Sequence, residues 1–354
     1  MNRPVAFVLG LAAGAGTVAM AGSRKPMSLE GRVALVTGGS RGLGFLIARE
    51  LIDLGCDVAI CARDADELEA ARARLFIRAR GIAGARGGRI LALPCDVSDR
   101  AMTEEMVRDV TAELGPIDIV VNNAGVIMVG PEASMLDEDY DEAMGVNFGG
   151  TLNVTRAVLP AMRARGRGSI ANITSIGGTV PLPHMVPYTA SKFAAFGLSQ
   201  GMAVELARDN IRVTTVVPGL MRTGSPVNSF FKGDPRAEFT WFSAGASTSL
   251  TAMSADRAAR RIVRAIRYGE RVLVLSWQAR LMRAAQGLMP GVTASLAALV
   301  NRALPDDATT ERWLGREVDD GFEEKLVYRP MYRAAWRNNE YVAAYSTERD
   351  DVTT

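Results

Sequence analysis

Tyr188 and Lys192 stand four residues apart in the stretch PYTASKF (187–193). On a helix that spacing sets both side chains on one face, one turn apart. A phenol beside an ammonium can serve as a proton donor with a helper, although two solvated residues on a helix would show the same spacing. A second stretch able to do chemistry lies upstream, TGGSRGLG (37–44). It follows a β-branched apolar run and opens a helical pattern, the setting a phosphate-cradling turn requires. Gly38, Gly42 and Gly44 permit a tight turn and close approach to a pyrophosphate, while the helix start offers free N–H groups and partial positive charge. An ordinary strand-to-helix turn is the alternative.

The end of the next strand separates two dinucleotides. NAD needs a carboxylate there for the ribose 2′-hydroxyl, roughly 20 residues after the glycines. Here the chain reads Cys61-Ala62-Arg63, with no acid until Asp64. Arg63 and Arg41 could pair with a 2′-phosphate through charge-assisted bonds, or stand as solvated surface arginines. The expectation is NADP(H) over NAD(H).

These groups need a scaffold. VALVT (33–37), DVAIC (57–61), RILALPCDV (89–97), IDIVVNNAG (117–125), SIANIT (169–174), IRVTTVVPG (211–219) and RVLVL (271–275) read as strands. Between them run helical patterns at 44–55, 65–80, 102–114, a long one around 137–163, one from about 188 to 208, and one at 254–268. Strands apolar at nearly every position, separated by helices, predict an α/β fold: a doubly wound, Rossmann-like parallel sheet of about seven strands with helices on both faces. Residues 220–250 read as a loop rich in aromatics, 277–304 as an apolar helical stretch broken at Pro290-Gly291, and the last fifty residues as polar. The expected division is an apolar extension (1–28), a catalytic domain (29–276), and a helical extension with a polar tail (277–354).

Composition narrows the class. A chain of 354 residues with 48% hydrophobic and 23% charged content can bury a sizeable core. A net charge of +2 with no like-charge block gives nucleic acid nothing to bind. Cys56, Cys61 and Cys95 sit in or beside apolar runs without metal-ligand spacing, so they read as buried packing. His184 is the one histidine of the chain, which leaves a His-based metal site or Ser-His-Asp triad little to build with. It reads as lining a substrate mouth or as an exposed loop residue. No metal is expected. Val5 to Ala21 is apolar, preceded by Arg3 and followed by Arg24 and Lys25. It reads as a membrane anchor, a cleaved signal or an extension without a role; were it to span, the basic residues after it would keep the following domain in the cytoplasm.

Several further motifs fall in one order along the chain: CDV (95–97), NNAG (122–125), VNFGG (146–150), ITSIGG (173–178) and PGLMRT (218–223). With TGGSRGLG and PYTASKF they resemble the short-chain dehydrogenase/reductase family over about residues 32–275. The resemblance implies a catalytic tetrad of Asn147, Ser175, Tyr188 and Lys192, Ser175 lying thirteen residues before Tyr188. It implies that Ser40, Arg41, Leu43 and the turn glycines hold phosphates, and that Asp96 and Val97 flank the adenine. Asn123, Ala124 and Gly125 would lie beside the cofactor, with Pro218, Gly219 and Thr223 against its nicotinamide. Lys192, besides favouring the phenolate of Tyr188, would hold the nicotinamide ribose; Ser175 would orient the substrate oxygen, and Asn147 would hold a relay water.

The activity so implied interconverts a carbonyl and a secondary alcohol by hydride transfer. Segment 220–250 then corresponds to a variable substrate lid whose aromatics suit a lipophilic small molecule. The resemblance also implies a homo-oligomer joined through helices near 137–163 and 188–208. Stretch 277–304, with Arg280, Arg283 and Arg302, could face a subunit, the sheet or a membrane surface. A non-catalytic NADP-binding regulator, or a membrane-associated scaffold, is the alternative function.

Overall fold

The computed structural model describes residues 26–81, 88–247, 252–318 and 328–340. Its centre is a seven-stranded sheet of β1 (Val33–Thr37), β2 (Asp57–Ala62), β3 (Ile90–Pro94), β4 (Ile119–Asn122), β6 (Gly168–Ile173), β7 (Ile211–Val217) and β11 (Val272–Val274), in the order β3-β2-β1-β4-β6-β7-β11. Every neighbouring pair runs parallel. The order reverses between β1 and β4, and in such sheets the crevice beyond the carboxyl ends at that reversal is where ligands bind.

Alternation along β1 explains the two-faced core. Ala34 and Val36 pack with Leu46, Ile47 and Leu51 of α1 (Gly42–Asp53), Leu68 and Leu75 of α2 (Ala65–Arg80), and Ile262 and Ile266 of α8 (Ala255–Tyr268). Val33 and Leu35 face the other way, toward Met106 and Val110 of α3 (Arg100–Leu114) and Val154, Val158 and Met162 of α5 (Thr151–Arg165). Helix α8 shows why it docks: Ala255, Ala258, Ala259, Ile262, Val263 and Ile266 recur at helical spacing and are all buried.

Three regions depart from expectation. The helix expected around 137–163 is α4 (Asp137–Ala143), a wide π-type turn over Met144–Gly150, and then α5. Segment 220–250 is largely ordered rather than a loop: it holds β8 (Met221–Arg222), β9 (Phe230–Phe231) and α7 (Pro235–Ser247). Asp234 starts α7 by accepting from the N–H groups of Arg236 and Ala237 at 3.1 and 3.0 Å. The last fifty residues also contribute structure. Helix α12 (Arg329–Arg337) buries Ala334 and Ala335, and packs Met331 and Tyr332 into a cluster that includes Phe231, Phe239 and Val318. Small strands β5 (Met128–Val129) and β12 (Trp313–Leu314) flank β9, and β10 (Met253–Ser254) pairs with β8. Helices α9 (Trp277–Leu288) and α10 (Pro290–Asn301) form a hairpin beyond the sheet, and α11 (Gly315–Val318) precedes α12.

Candidate active site

The turn between β1 and α1 is built to hold its shape. Gly38 has φ +60°, and a Cβ on Gly44 would lie 2.0 Å from the Gly38 carbonyl, so neither position admits another residue without rearrangement. Asn123 pins the turn by donating through Nδ2 to the carbonyls of Thr37 and Gly38 at 3.1 and 3.0 Å. Thr37 Oγ1 accepts in return from the N–H groups of Asn123 and Ala124, both at 3.0 Å. Next to it, Asn122 Nδ2 donates to Thr155 and Asn172 at 3.0 and 2.8 Å, tying β4 to α5 and β6. The first-turn N–H groups of α1, at Leu43 and Gly44, have no helical carbonyl to bond and are suited to an anion.

The groups expected to hold a 2′-phosphate are arranged unequally. Arg41 pairs with Glu67 at 2.5 Å, and Ser40 Oγ donates to the same carboxylate at 3.4 Å. Arg63 has its side chain 55% exposed and only a distant ion pair, 3.9 Å, to Glu142. Glu67, which the sequence reading did not weigh, is thus the carboxylate nearest this corner, buried beneath it. Asp96 lines the same cavity and holds the following turn by accepting from Ser98 N–H and Oγ at 2.9 and 2.7 Å.

The four expected catalytic residues converge at the ends of β6 and of the wide turn. Ser175 follows β6 and accepts from Gly177 N–H at 3.0 Å. Tyr188 lies in the first turn of α6 (Val186–Glu205), where Pro187 suits a helix start. It is buried, and its ring stands on the same cavity wall as Ser175. Burial raises its pKa, and the neighbouring Ser175 side chain offsets this in part. Lys192 Nζ donates to the Ile173 carbonyl at 3.3 Å and lies 5.8 Å from the centre of the Tyr188 ring. Burial holds this ammonium down to a pKa of about 8. The phenol is therefore pushed up by its surroundings, while the cation expected to pull it down is itself weakened.

Asn147 sits inside the wide turn. Its Oδ1 accepts from Val126 N–H at 3.1 Å, and its Nδ2 donates to the Val126 carbonyl at 3.1 Å and to Ser191 Oγ at 2.9 Å. Ser191 in turn donates to the Tyr188 carbonyl at 2.9 Å. Both amide hydrogens are committed, which leaves a relay water the second Oδ1 lone pair or the main-chain carbonyl. Gly125 keeps the space open: a Cβ there would lie 2.7 Å from Asn147 Oδ1 and 3.2 Å from Lys192 Nζ.

The carboxyl-terminal corner, Asn338 to Glu340, closes over the glycine turn and was missed from sequence. Gly42 N–H donates to the Asn338 carbonyl at 2.8 Å, and Asn339 Nδ2 donates to the Ser40 carbonyl at 2.8 Å. Asn339 has φ +63°, a backbone state that asparagine tolerates. Glu340 is buried and accepts from Gly224 N–H at 2.7 Å. Burial pushes its carboxyl up to about 7, against the pull of Gly224 N–H, Arg41 and Asn228. The chain's own tail thus bonds an N–H at the very helix start suited to phosphate.

A cavity of about 1090 Å³ joins these parts. One end is walled by Gly38, Arg63, Asp96, Val97 and Asn123; the middle by Ser175, Tyr188, Lys192, Pro218, Gly219 and Thr223. Beyond Tyr188 an apolar arm is lined by Leu182, Met185, Trp241, Phe242, Met282 and Leu296. His184 is neither an exposed loop residue nor part of this wall. It is buried with φ +57°, its Nδ1 lies 2.7 Å from Glu238 of α7, and its ring meets Trp241 edge-on. It ties the loop before α6 to α7. The three cysteines are buried and unpaired, with Cys56 pushed up to about 12 by burial. Among the described residues no group of three or more His, Cys, Asp or Glu is placed to hold a metal, and no helix is long and apolar enough to cross a membrane. The apolar run at 5–21 lies outside the described residues.

A parallel sheet with a pinned glycine turn at its reversal, and helices on both faces, defines a doubly wound, Rossmann-like fold. Residues 32–230 match the short chain dehydrogenase family, and the chain belongs to it. It is 36% identical over 206 residues to a dehydrogenase/reductase SDR family protein 7-like from Anopheles gambiae, a match covering 58% of this chain and 64% of that protein. The chain therefore spans just under two thirds of that relative's length. A short-chain dehydrogenase from Streptomyces avermitilis superposes with a TM-score of 0.64 at 29% identity, over 78% of this chain and 98% of that one. A gluconate 5-dehydrogenase from Burkholderia cenocepacia, solved with NADP and tartrate, does so with a TM-score of 0.59 at 27% identity, over 71% and 96%.

Proposed function

We propose that this chain is an NADP(H)-dependent oxidoreductase that interconverts a carbonyl and a secondary alcohol. The observation that carries the reading is the gathering of Ser175, Tyr188 and Lys192 on the wall of a cavity that begins at the glycine turn, with Lys192 Nζ 5.8 Å from the Tyr188 ring. The cradle suits a dinucleotide: the turn is held open for close approach, and the first-turn N–H groups of α1 face the pyrophosphate position. NADPH, when bound, supplies hydride from nicotinamide C4 to the carbonyl carbon. Ser175 orients the substrate oxygen and stabilises charge developing on it. Tyr188 donates its phenolic proton to that oxygen in reduction and accepts one in oxidation. Lys192 offers a cation to the phenolate and donors to the ribose hydroxyls, and Asn147 holds the relay water that returns a proton from solvent.

The preference for NADP(H) rests on Arg63 and Arg41 and on the missing acid at the end of β2; the NADP carried by the Burkholderia relative accords with it. The apolar arm beyond Tyr188 favours a lipophilic substrate. Within this reading residues 29–276 are the catalytic unit and 277–354 an extension that lends it α9, α10 and the 328–340 corner. A homo-oligomer would form through α5 and α6, where Phe193, Gly197, Gly201 and Val204 leave an exposed face.

The test is NADPH oxidation across aldehydes, ketosteroids, β-ketoacyl thioesters and quinones, with Tyr188→Phe beside the parent. The expected outcome is turnover by the parent with at least one class. The variant should lose it by roughly 10²-fold or more while binding NADPH unchanged. Normal turnover by Tyr188→Phe would overturn the assignment.

A further inference from the structure

The α9–α10 hairpin exposes more apolar surface than a free surface tolerates. On α9, Trp277, Leu281 and Leu288 recur along one stripe and are 69%, 62% and 81% exposed. On α10, Val292, Leu296, Leu299 and Val300 form a second stripe, with Leu296 and Leu299 58% and 62% exposed. Helix α10 has no charged residue and no buried one. Contiguous apolar patches of this kind mark a surface that something covers.

Charge identifies the cover. From Arg271 to Pro305 there is no acidic residue, while Arg271, Arg280, Arg283 and Arg302 give the stretch +4 in a chain whose total is +2. Arg280 flanks the apolar stripe of α9 and donates to the Val274 carbonyl at 3.3 Å, and Arg302 flanks the stripe of α10, whereas Arg283 turns toward the body, 5.5 Å over the Phe196 ring of α6. Two copies meeting through this face would set like charges against each other, because a two-fold contact pairs a patch with itself. An apolar stripe edged by arginines, with an exposed tryptophan at its base, fits an anionic lipid surface. Each helix has 12 residues and is about 18 Å long, too short to cross a hydrocarbon core of about 30 Å. The hairpin can therefore only lie in the interface.

We propose that the α9–α10 hairpin docks the protein on anionic phospholipid, its apolar stripes entering the headgroup–acyl boundary and its arginines meeting lipid phosphates. Leu281, Leu296 and Val300 are both exposed and part of the cavity wall, so docking sets the lipid phase against the edge of the apolar arm. This stands whether or not the assigned chemistry is correct.

The test uses the full chain with Leu299→Cys carrying an environment-sensitive NBD fluorophore. Leu299 lies outside the cavity wall, and the three native thiols are buried. The probes are vesicles of phosphatidylcholine alone and of phosphatidylcholine with phosphatidylglycerol. The expected result is a several-fold, blue-shifted rise in NBD emission with the mixed vesicles and a much weaker one with phosphatidylcholine. Replacing Arg280 and Arg302 together with Gln should lower the affinity for mixed vesicles roughly 30-fold, about a kcal/mol for each basic residue near the surface. NBD emission that stays constant while the protein floats with vesicles would assign binding to another segment and overturn the proposal. Emission that rises with protein concentration alone, alongside dimerisation, would assign the face to a second copy and overturn it equally.

Discussion

Lys192 keeps its ammonium where burial alone brings the pKa from 10.5 to about 8. That difference corresponds to about 3 kcal/mol of strain on the charged form. Below about pH 8 the folded protein holds a desolvated cation and bears the cost. Between about 8 and 10.5 the unfolded chain retains a proton that the folded one has lost, so this residue makes stability rise with pH. Lys192→Met should accordingly be more stable than the parent at pH 7 by about 1–3 kcal/mol in urea unfolding, part of the gain being offset by the lost bond to Ile173. The advantage should fade toward pH 10.5, and turnover should vanish throughout. A variant less stable than the parent at pH 7 would show that the ammonium is well compensated. Glu67 offers a second test at this scale. It engages Arg41, one of the two arginines assigned to the 2′-phosphate, and Ser40 of the glycine turn. Glu67→Gln should release Arg41 and tighten NADPH binding roughly 3- to 10-fold, within the range of one charge-assisted bond, and leave NADH nearly unchanged, as read by fluorescence titration. Arg41 and Arg63 were visible in sequence because strand ends are visible; Glu67 was not, because its carboxylate reaches the turn from the first turn of α2.

Among the elements, the clearest from sequence were the strands. VALVT is short, β-branched and buried throughout, and IRVTTVV is so at every residue but Arg212, and no helix of that length could compete. Helix α7 escaped because its run of Phe, Thr, Trp, Phe and Ser has weak helical propensity; the Asp234-Pro235 start was the signal available. The wide turn at 144–150 was hidden inside a pattern that looked continuously helical. Helix α12 ends in the corner that bonds Gly42, and the carboxyl of Glu340 governs its seat. That group faces Arg41 and Glu67 and bonds Gly224 and Asn228. With a folded pKa of about 7 against an ordinary 4.5, the folded chain holds a proton that the unfolded chain lacks between those values. Stability from this contact is present at low pH, falls as pH rises through that window, and is lowest above about 7. Amide exchange at residues 329–340, corrected for intrinsic rate, should therefore be faster at pH 8 than at pH 6. Glu340→Gln should abolish the difference. Because the Asn338 carbonyl and a pyrophosphate compete for the Gly42 N–H, the same variant should bind NADPH more weakly at pH 8. Equal protection of the parent at both pH values would show that Glu340 does not control the corner.

Over the whole molecule, sequence patterning was enough for the sheet, because each strand is a local run, while Tyr188 and Lys192 showed only as a pair one turn apart and Ser175 only through the family resemblance. What it could not supply were contacts between distant segments, such as His184 with Glu238 and the hairpin's place on the cavity wall. The farthest is Asn339 with Ser40, 299 residues apart. That last distance bears on how the protein is made. The residues that close over the glycine turn are synthesised about 300 residues after it. At about 5–20 residues per second the interval is tens of seconds, ample for the central strands to pair and for cellular dinucleotide to arrive. A nascent chain therefore presents its nucleotide cradle uncovered, and the tail must seat itself on a site whose occupancy has already been decided.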